Sequence, residues 1–268
     1  MSGSRLRFFR QGDLAEGLGF EMLRRFAAVA PVPREEDFGI DAICTLLRPE
    51  GRKLFAENTF GVQVKARSVR RVEVSKRTDG WLRRLDIPFF FVSIDLKNTH
   101  ARILPYEWTL ADRSEPSAYT FFTEIPKRRT GVATRQPWLL SGNPSGRSIW
   151  LGPPIDEFKL ADLADDTRVS QTRSLMKVWC ELVARNIQLR RHGIQDIPFW
   201  KTGQPPDATE TATMGYTTQE ELRRTLAEIS PFITKADELA RLGVGDAELQ
   251  SALKVMRKKA RELGVKGP

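Results

Sequence analysis

The segment Pro88-Phe89-Phe90-Phe91-Val92-Ser93-Ile94 constrains this chain more than any other. A continuous apolar run of that length suits a strand buried on both faces, whereas a half-exposed strand would alternate. Such a strand needs covering layers, and the patterns around it supply them. Gly12 to about Ala30 is expected as a helix, because Phe20, Leu23 and Ala27 recur at helical spacing while Leu18, Met22 and Phe26 widen that face. Pro31 and Pro33 end it. Phe38 to Leu47 and Thr59 to Ala66 are expected as strands joined by a turn-rich connection from Arg48 to Asn58, with Val69 to Ser75 as a third. Asp79 to Leu85 is a short helical candidate, and Ala101 to Leu104 is the expected neighbour of the apolar strand. The order α-β-β-β-α-β-β describes an α/β core over residues 1–115.

Residues 116–158 are poorly patterned and are expected as an irregular connecting region, followed by a mainly helical C-terminal region over 159–268. There Leu175, Val178, Trp179, Leu182, Val183 and Ile187 form an apolar stripe that stops near Gly193. Thr202 to Tyr216 is expected as a linker. Thr217 with Glu220 resembles a capping box opening a helix to about Ile229, and Asp246 can cap a last helix.

Composition narrows the function classes. No run approaches the roughly 18 apolar residues that cross a bilayer, and no signal-peptide pattern follows the basic N-terminus, so a cytoplasmic protein without membrane contact is expected. Two cysteines and two histidines leave little material for a disulfide framework or a His/Cys metal cluster. Any metal is therefore expected on oxygen ligands, which points to Mg2+ or Mn2+. The 43 basic against 34 acidic residues give a net charge of +9, which suits a polyanion as well as a solubilising surface. The distribution favours nucleic acid. Arg67, Arg70, Arg71, Lys76 and Arg77 crowd the segment after the second strand and are the expected nucleic-acid-binding residues. Lys127, Arg128, Arg129 and Arg135 form a second cluster.

Chemistry concentrates in Asp37-Phe38-Gly39-Ile40-Asp41-Ala42 and Phe60-Gly61-Val62-Gln63-Val64-Lys65. In each, polar groups that are costly to bury interrupt an apolar strand, so each needs a partner or a metal. Gln63 and Lys65 are two apart and share a face, with Val62 and Val64 on the other. If the two strands pair, Asp41 can join them. Glu16 sits near the start of the first helix, in register with its apolar face. The expected catalytic set is Glu16, Asp41, Gln63 and Lys65, with Asp41, Gln63, the Val64 backbone carbonyl and Glu16 as oxygen ligands of a divalent cation. Lys65 would orient the attacking water or stabilise charge developing on the phosphate. Taken singly, each residue has a plainer reading: an Asp41–Lys65 salt bridge, a solvated Glu16 and an edge-polar Gln63.

Gly12-Asp13-Leu14-Ala15-Glu16, Asp37-Phe38-Gly39-Ile40-Asp41 and Val62-Gln63-Val64-Lys65 together resemble the helix glutamate, G-I-D and Q-x-K signatures of PD-(D/E)XK restriction-endonuclease-like nucleases. Within that superfamily the chain is most similar to the Mrr-like group, including a bacterial domain family of unknown function met in phage-defence contexts. The segment from Trp81 to Trp108, with its "IPFFFVSID" and "RILPYEWT" stretches, fits the same group. The likeness covers roughly residues 5–112. It implies a mixed central sheet flanked by helices, magnesium dependence and cleavage that leaves a 5′-phosphate and a 3′-hydroxyl. Gln63 departs from the glutamate of many members, which removes one negative ligand.

The expected function is thus a metal-dependent DNA endonuclease, a phage-defence effector in its setting, whose C-terminal helices serve DNA binding, oligomerisation or regulation by a protein partner. The alternatives are a catalytically silent nucleic-acid-binding module on the same fold and an RNA nuclease.

Overall fold

The computed structural model describes residues 7–33, 39–110, 116–124, 139–140, 147–190, 194–215, 219–241 and 247–262. Asp37 and Phe38, the 127–135 basic cluster, Gly193, Thr217 and Asp246 lie outside them.

Helix α1 (Arg7–Leu23) is followed by strand β1 (Ala27–Pro31), which pairs antiparallel with β2 (Ala42–Glu50). The helix therefore ends at Leu23, earlier than its apolar spacing suggests. Ala27 is buried because it sits opposite Leu46 in a ladder, and tertiary pairing overrides the local helical pattern. β2 runs into β3 (Lys53–Ala66) through a tight turn at Gly51, whose φ of +59° favours glycine. The expected connection from Arg48 to Asn58 is thus mostly strand, with a register shift between Thr45 and Leu47.

β4 (Arg71–Val74) leaves for a second sheet, and α2 (Lys76–Leu82) follows, its N-terminus capped by the Ser75 hydroxyl accepting from the Thr78 N–H. β5 (Phe89–Asp95) lies parallel to β3 and antiparallel to β6 (His100–Pro105). Six of its seven residues are buried, as the apolar run requires.

The next strands are β7 (Tyr119–Phe122), β8 (Leu139–Leu140), β9 (Arg147–Trp150) and β10 (Asp156–Lys159). β10 pairs with β6, completing a six-stranded mixed sheet in the order β1-β2-β3-β5-β6-β10. The second sheet has the order β4-β7-β9-β8. The segment expected as irregular thus contributes strands to both sheets, and the central sheet does not close at residue 115. Its β10 could not be read from pattern because Asp156 is buried. That carboxylate is held by Arg168 and Thr172 from α3 (Asp166–Arg190), 12 and 16 residues further on, outside the strand's own pattern.

In α3 the buried stripe includes Leu175, Met176, Trp179, Cys180, Val183 and Ile187, while Val178 is exposed. Asn186 clamps β11 (Ile194–Phe199) through both amide atoms, donating to the Asp196 carbonyl and accepting from its N–H. β11 pairs with β12 (Asp207–Gly215), which occupies the expected linker.

Contacts divide the chain into two compact units, one over Met1–Ile187 with Gln195–Met214 and the other over Gln188–Ile194 with Gly215–Pro268. The second unit holds α4 (Gln219–Arg241) and α5 (Ala247–Glu262), which pack through Leu226, Ile229 and Ala260. α4 continues well past Ile229 and contains Pro231.

The faces of the central sheet position the candidate site. Phe60, Val62 and Val64 share one face with Phe90, Val92 and Ile94, and α1 covers it. A Cβ on Gly19 would stand 2.9 Å from Val64 Cγ1 and 3.4 Å from Ile94 Cγ1, so this helix lies as close as glycine permits. The other face carries Gly61, Gln63 and Lys65 beside Phe89, Phe91 and Ser93. Phe91 there packs edge-on to Tyr106 and tilted against Phe121 of β7, with ring centroids 5.7 Å and 4.5 Å apart.

Candidate functional site

Asp41 is the residue before β2. Its backbone N–H donates to the Val62 carbonyl at 2.8 Å, and its carbonyl accepts from Val32 at 3.0 Å. The carboxylate turns toward β3, where Oδ2 accepts the Val64 N–H at 2.6 Å, a short charge-assisted bond. Asp41 is 9% exposed, so that bond is sheltered from water. In a strand the N–H and C=O of one residue point the same way across the sheet. The Val64 carbonyl is therefore directed to the same side as Asp41, beyond Ala42, which lies opposite Val62.

One step before Ala42, Asp41 falls beside Gln63 in the register. Gln63 is half-buried, and its amide lies 3.7 Å from where a Gly39 Cβ would stand, with Trp81 of α2 at 3.6 Å. Gly39 has φ +107°, a left-handed conformation that a side chain would strain. The glycine of the G-I-D segment thus returns the chain close over Gln63. Lys65, also half-buried, is two residues further on the same face, opposite Ser93. Among the described residues no ion pair joins Asp41 to Lys65, so the plain salt-bridge reading has no support.

Asp41, Gln63, Val64 and Lys65 are thus brought to one stretch of β3. Glu16 is half-buried on α1, the helix that covers the opposite, Val64-bearing face. Glu16 precedes by three residues Gly19, the point at which α1 meets Val64 and Ile94 on that face. Among the described residues no group of three or more His, Cys, Asp and Glu gathers to hold a metal. The fitting donors are one carboxylate and two neutral oxygens, from Asp41, Gln63 and the Val64 carbonyl. That set is hard and suits magnesium or manganese, with water filling the remaining positions.

The predicted nucleic-acid-binding residues divide into two sorts. Arg71, paired with Glu73, and Lys76 and Arg77 on α2 are exposed. Arg67 is engaged: its Nε donates to Glu124 Oε1 at 3.0 Å and its NH1 to Asp95 Oδ2 at 3.0 Å. Arg70 reaches Glu124 Oε2 at 3.5 Å, and Arg102 on β6 donates to Glu124 Oε1 at 2.9 Å. Burial pushes the Glu124 carboxyl up. The Arg67 hydrogen bond and the charges of Arg67, Arg102 and Arg70 outweigh it and hold the group below its ordinary value. Asp95 is also held low, first by the Asn98 side-chain hydrogen bond and further by Arg67. Sequence reasoning missed Arg102 and Glu124. Glu124 is 57 residues from Arg67, and no local pattern links the two.

No helix among the described residues is long and apolar enough to cross a membrane. No family model, curated protein or solved structure matches the chain.

Proposed function

We propose that this chain is a metal-dependent nuclease that hydrolyses phosphodiester bonds in DNA, with Asp41, Gln63, Val64 and Lys65 forming its working edge. The observation that carries the reading is the hydrogen bond from the Val64 N–H to the Asp41 carboxylate. It fixes an anionic oxygen beside a backbone carbonyl and the two polar side chains, Gln63 and Lys65, that interrupt the apolar end of β3. Asp41, Gln63 and the Val64 carbonyl would hold Mg2+ or Mn2+, with water completing the shell, since Glu16, the fourth expected ligand, stands on the helix that covers the opposite face. When bound, the ion supplies Lewis acidity at a phosphate oxygen and a more acidic water. Lys65 contributes a positive charge where negative charge grows on the phosphate. The exposed cations Arg70, Arg71, Lys76 and Arg77 suit the flanking backbone. The motif resemblance adds the Mrr-like setting, a defence effector acting on phage DNA.

The test is plasmid cleavage with magnesium or manganese, run beside matched RNA. Cleavage of DNA that disappears with chelator, and in folded Asp41→Ala and Lys65→Ala variants, supports the reading. Activity that survives both substitutions rejects it.

One observation favours a second reading. Gln63 stands where a carboxylate would raise cation affinity, leaving Asp41 as the one charged donor beside Gln63 and the Val64 carbonyl. A binding module that has lost catalysis would retain DNA in a salt-sensitive manner, indifferent to chelator.

A further inference from the structure

Three guanidinium groups converge on one carboxylate beside the candidate site. Arg67 and Arg102 donate to the same oxygen of Glu124, and Arg70 approaches the other at 3.5 Å. The register shows where this happens. Lys65 of β3 lies opposite Ser93 of β5, Ser93 opposite Arg102 of β6, and Arg102 opposite Glu157 of β10. These four residues form one row on the face that carries Gln63. Arg102 is therefore two strand spacings, about 10 Å, from Lys65 along the backbone level. Arg67 follows Lys65 by two residues.

The cluster is open to solvent. The side chains of Arg67, Arg70 and Arg102 are 36%, 63% and 22% exposed, and that of Glu124 is 25% exposed. A purely structural ion pair needs one arginine, and here Glu124 receives three. Two of them have further anchors, Arg67 on Asp95 and Arg102 on Glu157, so these two guanidinium groups keep a partner without Glu124. Convergent guanidinium groups are built to take a phosphate, whose oxygens accept from several donors at once.

We propose that Arg67, Arg70 and Arg102 form a subsite for a nucleic-acid backbone phosphate, and that the Glu124 carboxylate occupies it in the free protein. The inference deepens the nuclease reading and rests on nucleic acid being the substrate. A phosphate entering the row beside Lys65 displaces Glu124, and Glu124 thereby competes with every ligand that approaches. Asp95 and Glu157 remain as the fixed counter-charges that orient Arg67 and Arg102.

The experiment measures binding of a labelled DNA duplex to the full chain by fluorescence anisotropy in chelator, across a salt series. Glu124→Gln removes the competing charge and keeps the side-chain size. It is expected to bind about fivefold or more tightly, the lower end of a coupling between competing sites. Its plot of log affinity against log salt steepens by about 0.9, the weight of one added phosphate contact. A folded Glu124→Gln variant, with its unfolding temperature unchanged, that binds no tighter overturns the proposal. Should that variant not fold, Arg70→Ala is compared with Arg24→Ala. Arg24 is an exposed arginine just after the helix on the opposite face, where it pairs with Glu21. Loss of affinity and of salt slope in Arg70→Ala alone supports the subsite, and equal effects overturn it. Without metal, the result is independent of cleavage. Tighter binding with no metal-dependent cleavage retires the nuclease reading and keeps the subsite, and cleavage without tightening does the reverse.

Discussion

The approach of α1 to β3 makes a prediction with a change of sign. In Gly19→Ala the new methyl meets Val64 Cγ1 at 2.9 Å and Ile94 Cγ1 at 3.4 Å. Val64 is 6% exposed and its strand is held by β2 and β5, so the neighbour has little room to retreat. Overpacking of this kind costs about 1–3 kcal/mol. Replacing glycine by alanine inside a helix recovers about 0.5–1 kcal/mol. The net loss should be about 1 kcal/mol and reach about 2.5 kcal/mol at most. Val64→Ala removes both branch methyls and costs about 1–3 kcal/mol alone. In that background the alanine at 19 fills vacated space, so Gly19→Ala should now stabilise by roughly 0.5–1 kcal/mol. The assay is urea unfolding followed by tryptophan fluorescence, because the described tryptophans, Trp81, Trp108, Trp150, Trp179 and Trp200, belong to the first compact unit. An effect of the same sign in both backgrounds refutes the stated packing of helix on strand.

Two further outcomes follow from single positions. Gly39→Ala forces a side chain into φ +107° over Gln63 and should cost about 1–3 kcal/mol in the same unfolding assay, and an unchanged midpoint contradicts that backbone. Burial pushes the Cys44 thiol from 9.0 up to about 12. The unfolded thiol ionises first, so the stability it lends is complete below about pH 9 and is lost as pH rises toward 12. Native protein should resist a thiol reagent at pH 8.5, with labelling that tracks unfolding, and prompt labelling of the native form contradicts the burial.

Much of the core was legible because its cause is local. The apolar run from Phe89 to Ile94 specifies a central strand, and the period of two in Val62-Gln63-Val64-Lys65 separates a core face from a polar one. Asp41 could be singled out because an acid that is costly to bury interrupts an apolar strand, and Gly39 through the G-I-D resemblance. What failed depends on distant partners. Ala27–Pro31 becomes a strand because β2 pairs with it, and Asp156 can lie buried in β10 because α3 brings Arg168 and Thr172 to it. The Glu124 cluster belongs to the same class: four charges from three separate segments acquire meaning only when the fold gathers them. Glu16 is the intermediate case. Its helix was recognised, but which face of the sheet that helix covers depends on Gly19 meeting Val64 and Ile94.

The most direct measurement is a crystal structure with manganese, read from its anomalous scattering. A single peak within ligand distance of the Asp41 carboxylate, the Gln63 side chain and the Val64 carbonyl, absent in Asp41→Ala, is the predicted result. Manganese bound elsewhere, with no peak beside Asp41 at saturating ion, would contradict the proposed centre.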